Sequence, residues 1–335
     1  MNTDKGKTMA KISAIGKYLD QPLLISKLNK NVPYILSGFA GGYLINEVHK
    51  TPKEERQKEG LKTAITLFGT VLSAISAPKI ASKLTKRNPF PSTCEVINRN
   101  KRLVNNFISE NPNTKIKGIL EKSKNKVLSI CEVSKLFSEH KEFANKLIPP
   151  PENIQAKDIF KEIGYLSIFG AVPVVGGITG GVVADKITDK NWKEKVPDKI
   201  NEGIYQYLAN IFLCNIGAGT ALGILEKLNI KSKAARCIGM IAGIITTGVI
   251  GGSAIANFIG NKVINPIILK KEEKEKRTPE LLDLSLHTDD IATVSLLSGL
   301  KWIEPALPIL YSISGYRAGI GYRNDSRLCI DKKDE

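Results

Sequence analysis

The sequence predicts an all-α, polytopic membrane helical bundle: about six spans in three glycine-rich hairpins, with a small basic helical insertion. Three observations lead there. Segments 163–184, 203–225 and 237–260 contain no charged residue, and uncharged runs of that length are improbable in a soluble fold. Small residues recur at four-residue spacing within them, as Gly239, Gly243, Thr247 and Gly251 do. Lysine-rich polar segments alternate with the apolar ones, so mean hydropathy is only −0.09 over 335 residues. At about 1.5 Å per residue, a helix over 237–260 reaches ~36 Å, enough to cross a hydrocarbon core of ~30 Å with tilt. Rows of small residues let helices approach closely in lipid, where dispersion takes the place of the hydrophobic drive.

Taken in order, residues 1–31 form a basic N-terminal segment in which Ile12, Ile15 and Leu19 give a faint helical spacing. No apolar h-region occurs there, so no cleaved signal peptide is expected. Two shorter uncharged blocks, 31–46 and 63–78, make the first membrane hairpin, 32–81. Lys62 and Lys79 flank the second block and can snorkel to the interface, which lengthens its usable span.

Residues 82–160, opened by the Pro-rich stretch NPFPS and broken near their end by IPPPENIQ, read as a basic amphipathic helical insertion of about three helices. Its apolar positions are Val96, Ile97, Leu103, Val104 and Phe107, then Val127, Ile130, Val133, Leu136 and Phe137. Ser92 and Glu95 have the spacing of a capping box. These apolar faces are expected to pack on each other or to lie along a membrane surface. The second membrane hairpin is 161–226 and the third 227–318. The last apolar region, 291–316, is interrupted at 301–305 and predicts a broken helix, followed by a polar tail, 319–335.

A weak internal repeat runs through the leading helix of each hairpin. Gly38, Gly41 and Gly42 form a GxxGG motif that recurs as Gly177, Gly180 and Gly181, and again as Gly248, Gly251 and Gly252. Each motif is followed by an Asx residue, Asn46, Asp185 or Asn257. The pattern predicts a glycine zipper around a shared centre, with Gly38, Gly42, Gly177, Gly181, Gly248 and Gly252 as packing positions. The Asx residues read first as C-terminal caps, and second as polar groups at membrane depth.

Catalytic chemistry finds no support. His49, His140 and His287 stand apart, the five cysteines show no metal or disulfide spacing, and no phosphate loop or nucleophile elbow occurs. No enzyme activity, cofactor or metal is therefore expected, and the cysteines read as reduced thiols. The candidate sites are polar groups at membrane depth. Lys301 and Glu304 are three apart, on one helix face beside Pro305, and read either as a pair within a broken helix or as interfacial residues next to Trp302. Asn210 and Asn215 read as hydrogen-bonding links between helices.

The formal charge is +16. Its lysines sit between apolar blocks, which favours a bilayer with anionic head groups over nucleic acid as partner. A multi-pass protein with both termini inside is expected, with a homo-oligomer as a further expectation. The favoured function is transport or permeation of a small solute or ion through the glycine-faced bundle. The alternative is a structural membrane protein that packs or oligomerises through its glycine faces and binds anionic lipid or a partner.

Overall fold

The computed structural model describes residues 15–86, 91–149, 155–230, 232–268 and 305–321. Among these residues all regular structure is helical. Among the described residues four helices are long and apolar enough to cross a membrane: Arg56–Thr85, Ile163–Thr188, Trp192–Lys227 and Ile238–Pro266. They contain the predicted blocks 63–78, 163–184, 203–225 and most of 237–260. Four candidates thus stand among the described residues against the six spans expected of the whole chain. Block 31–46 lies within α1 (Pro22–Lys50), whose apolar part is diluted by Pro33, two tyrosines and glycines. Of the last region, 307–320 forms a helix of only 14 residues, ~21 Å at helical rise and short of a hydrocarbon core. Residues 291–304, with Lys301 and Glu304, lie outside the described residues.

Two compact units divide the chain. The first holds the described parts of Met1–Val32 and Asn88–Ile154. It contains α3 (Thr93–Glu110), α4 (Lys117–Ser123), α5 (Ile130–Glu139) and α6 (Lys141–Leu147). The Ser92–Glu95 capping box is formed, and Ser129 with Glu132 makes a second one at the start of α5. Each satisfies two backbone N–H groups that a helix start otherwise leaves without partners. The apolar faces pack on one another, with Val104, Ile116, Leu120, Val133, Leu136 and Leu147 buried in one core. Ile130 is exposed and Leu128 takes the buried place in front of α5. Gln21 closes the unit from the N-terminal segment: its Nε2 donates to the Leu128 carbonyl at 2.9 Å, and its Oε1 accepts from the Leu128 N–H at 2.8 Å.

Glu132 also takes two hydrogen bonds from Lys122 Nζ, at 2.7 and 2.8 Å. Lys122, then the Ser129 N–H, hold the Glu132 carboxyl below the usual carboxylate range. A depressed carboxylate contributes stability above its unfolded pKa and loses it as pH falls through the folded value. Amide exchange of 117–139 in the full chain is therefore expected to quicken as pH falls below the ordinary glutamate range, once corrected for intrinsic rates. Lys122→Met should flatten that pH dependence.

The second unit holds the candidate spans. Its centre is α7 (Ala156–Thr188), which packs closely with α2 (Arg56–Thr85) on one side and α12 (Leu307–Ile320) on another. Glycines set these approaches. A Cβ on Gly69 would lie 2.8 Å from the Gly176 carbonyl oxygen, and one on Gly180 would lie 3.1 Å from that of Ile65. On the α12 side, Gly177 and Gly181 abut the carbonyls of Gly315 and Gly319, leaving no volume for a side chain. Thr66 and Thr70 can be buried in α2 because their hydroxyls donate to the carbonyls of Lys62 and Thr66, one turn back.

The remaining helices are α8 (Trp192–Tyr207), α9 (Leu213–Lys227), α10 (Lys233–Gly243) and α11 (Ser253–Ile259). Leu208–Phe212, between α8 and α9, is a π-helical turn, and further π segments, Ile244–Gly252 and Gly260–Ile268, flank α11. Gly217 of α9 and Gly243 of α10 each abut the other's carbonyl.

This packing departs from three hairpins around a glycine centre. Over 156–227, α7 is followed by α8 and α9, and both of these pack on α7. The last helix, α12, instead packs on α7, α8 and α2, since Gly315 and Gly319 match Gly177 and Gly181 in spacing. The three GxxGG motifs face three different surroundings. Gly177 and Gly181 meet α12, whereas Gly248 and Gly252 meet Cys214 and Ala209. At Gly38, Gly41 and Gly42 a Cβ would find no atom within 4 Å.

Candidate functional site

Helix α8 begins at Trp192, well before the uncharged run at 203, and carries Lys199 and Glu202 into the bundle. The candidate span therefore includes two ionisable groups with almost no exposure, 1% for Lys199 and 0% for the Glu202 side chain. Lys199, Glu202, Gln206 and Asn210 recur at steps of three and four, on one helix face. They form a polar seam about 16 Å long at helical rise.

Neighbouring helices complete it. Asp185 of α7, fully buried, lies 2.9 Å from Lys199 Nζ through Oδ2 and 3.4 Å from Lys62 Nζ of α2 through Oδ1. Lys62 is the outer member, with 21% of its side chain exposed. Lys199 Nζ also donates to the Gly319 carbonyl at the end of α12. Arg317 of α12 approaches Glu202, with Nε 3.9 Å from Oε1. Gln206 Nε2 donates to Glu202 Oε1 at 2.8 Å, and Asn210 Nδ2 donates to Gln206 Oε1 at 2.8 Å. Two acids thus face two deeply buried cations, and an amide chain runs on from Glu202 into the π turn. A buried charge is stable only when paired and hydrogen-bonded, and here the pairing is drawn from three helices.

The opposite side of α8 carries a second network. Asn201 Nδ2 donates to Asn265 Oδ1 at 2.7 Å, Asn265 Nδ2 donates to Asn261 Oδ1 at 3.1 Å, and Tyr205 Oη shares a 2.8 Å hydrogen bond with Ser253 Oγ. Just beyond the end of α7, Lys195 holds Asp189 at 2.6 Å. That contact and the Asn191 N–H depress the Asp189 carboxyl to about 2.

Of the predicted residues, Asp185 joins the seam and Asn210 ends it. Asn215 is buried, but its Nδ2 donates to the Ile211 carbonyl one turn back. The polar hydrogen bonds of both asparagines thus stay on their own helix rather than linking helices. Asn46 is exposed and Asn257 half-buried. None of the three Asx residues is a C-cap: α1 runs on to Lys50, α7 to Thr188, and helical structure continues past Asn257. Lys62, Lys199, Glu202, Gln206 and Arg317 were not among the predicted site residues. For Lys199, Glu202 and Gln206 the available signal is their spacing leading into Asn210; Lys62 and Arg317 reach the seam from other helices and carry no such signal.

Among the described residues no cluster of three or more His, Cys, Asp or Glu is placed to hold a metal. His140 contacts the Thr114 hydroxyl at 3.1 Å and packs edge-on against Phe107. Cys94 and Cys131 are exposed free thiols, and Cys214 is buried, with its Sγ donating to the Ala209 carbonyl at 2.9 Å. Among the described residues, fold and site together define an all-helical protein with four candidate membrane spans and a buried polar seam along one of them. Compared with family models, curated proteins and solved structures, the chain matches none.

Proposed function

We propose that this is an integral membrane protein that carries a small ion or solute along the polar seam of α8. The observation supporting this reading is the set of polar contacts Asp185–Lys199 and Glu202–Gln206–Asn210, with Lys199, Glu202, Gln206 and Asn210 on one helix face inside candidate spans. Ionisable groups at membrane depth are costly, and where they persist they mark ion and substrate paths. The π turn at the inner end adds to the case, since such turns recur at functional sites and free backbone groups within a helix. Lys62 and Asp185 form the outer mouth, and the amide chain leads inward. The lysine-rich segments between spans suit anionic lipid head groups.

Reconstitution into liposomes tests this. Flux of an ion or small solute is expected from the wild-type chain. Glu202→Gln keeps the shape of the seam but removes its charge, and should reduce flux at least about tenfold, the effect of ~1.4 kcal/mol on a barrier. Equal flux in wild type, variant and empty liposomes would remove the reading.

A second reading rests on the open face of α1. Gly38, Gly41 and Gly42 leave a strip of small residues in contact with nothing among the described residues. Elsewhere in the chain such strips meet another helix. A structural protein that self-associates through this face would lose its oligomer with Gly41→Leu while keeping its fold.

A further inference from the structure

We propose that the side-chain carbonyl of Asn210 binds a small monovalent cation, which makes the seam a cation path; this rests on the transport reading above. The orientation of the amide chain follows from Glu202. A carboxylate only accepts hydrogen bonds, so Gln206 must turn Nε2 toward it, as it does at 2.8 Å. Gln206 Oε1 then points away from Glu202 and takes the Nδ2 of Asn210, also at 2.8 Å. Asn210 Oδ1 is left at the inner end of the chain. The residue is 1% exposed, and this oxygen has no hydrogen-bond partner among the described residues.

Both amide dipoles therefore point the same way, with N–H toward the carboxylate and C=O toward the inner end. Glu202 polarises the chain, and hydrogen bonds in series strengthen one another. The charge of the carboxylate is thus expressed at Asn210 as a stronger acceptor. Such an end accepts a cation or a hydrogen-bond donor and disfavours an anion. Lys62 and Lys199 face Asp185, and Arg317 Nε stands 3.9 Å from Glu202 Oε1, farther than the Gln206 amide at 2.8 Å, so the carboxylate still sets the direction of the chain.

Depth and backbone geometry agree. Asn210 lies midway along the candidate span Trp192–Lys227, within the π turn Leu208–Phe212. Binding at mid-depth, where a helix departs from α geometry, is the arrangement of transporter sites. One neutral carbonyl cannot strip a hydration shell, so the ligand is a partly hydrated alkali cation or an ammonium ion. Divalent cations require several charged oxygen ligands, and the seam offers none at this end.

The test uses the full chain purified in detergent. Thermal unfolding is followed in sodium, potassium or ammonium chloride against choline chloride at equal ionic strength. Wild type should melt about 2 °C or more higher in at least one small-cation salt. Asn210→Leu, close to isosteric, should lose that difference, and Glu202→Gln should shrink it. Identical melting of wild type in all four salts would overturn the cation site. A shift undiminished in Asn210→Leu would overturn its assignment to Asn210. If Asn210→Leu does not fold, an undiminished shift in Glu202→Gln overturns the proposal in its place. The same preparation in liposomes separates the two claims: a cation shift without flux keeps the site and removes the transport reading. Flux of anions or neutral solutes without a cation shift does the reverse.

Discussion

Alanine at Gly177 or Gly181 is expected to deplete folded protein from the membrane fraction, whereas alanine at Gly38 or Gly42 should leave its level unchanged or raised. All four glycines occupy equivalent places in a GxxGG motif, so local sequence does not separate them. Contact does. At Gly177 and Gly181 the added methyl would enter the carbonyls of Gly315 and Gly319. Those are backbone atoms, so α7 and α12 must move apart. Overpacking of this kind costs about 1–3 kcal/mol, and more where backbone must shift. At Gly38 and Gly42 nothing lies within 4 Å, and the better helix propensity of alanine favours the variant by up to ~1 kcal/mol. Detergent melting curves of the four single variants check this. Equal losses at all four positions would show that the motifs share one packed environment.

Asp185→Ala is expected to destabilise the bundle by about 3–5 kcal/mol, the usual result of removing one partner of a buried ion pair. Lys199 would remain in place with the Gly319 carbonyl as an acceptor but without its carboxylate. Lys62 would suffer little, because part of its side chain already reaches solvent. Asp185→Leu combined with Lys199→Met should recover most of the loss, since a matched apolar replacement of a buried pair is often neutral or better. The double variant would nevertheless lack the outer half of the seam, so its flux should stay low. Melting and flux measured on the same preparations separate the structural from the functional part. A double variant as unstable as the single one would mean that Asp185 is held by something other than Lys199.

The apolar core of the fold was legible because lack of charge is a direct consequence of lipid or helix surroundings. Blocks 63–78, 163–184, 203–225 and much of 237–260 all fall within candidate spans. Their limits were less legible. A block defined by absence of charge stops at the first charge, so block 203–225 begins at Gly203, although α8 starts at Trp192. Lys199 and Glu202 lie inside the helix because Asp185 and Arg317, distant in sequence, supply opposite charge. Pairing of that kind follows from tertiary contact and leaves no mark in a hydropathy pattern.

The same holds for neighbours. Gly315 and Gly319 have the spacing of Gly177 and Gly181, which is a usable signal, yet chain order placed α12 beside the preceding helix instead. Asp185 is legible because it trails a glycine motif, first as a cap and second as a polar group at membrane depth, and it is the second role that its place in the seam fits. The hydrogen-bonded run from Glu202 to Asn210 was open to a search for polar residues at helical steps. The capping box at Ser92 was fully legible, because its physics is contained in four consecutive residues.

The central claim is that α8 and α9, with the π turn between them, form one helix that crosses a membrane while burying Lys199 and Glu202. Alkaline carbonate washing of membranes from cells expressing the full chain tests it most directly, with single cysteines at Lys199 and Gln206 probed by a membrane-impermeant thiol reagent in the washed pellet. The prediction is that the chain stays in the pellet and that neither cysteine reacts until detergent is added, given burial at both positions. Release of the chain into the wash, or immediate labelling at both positions in intact membranes, would contradict it.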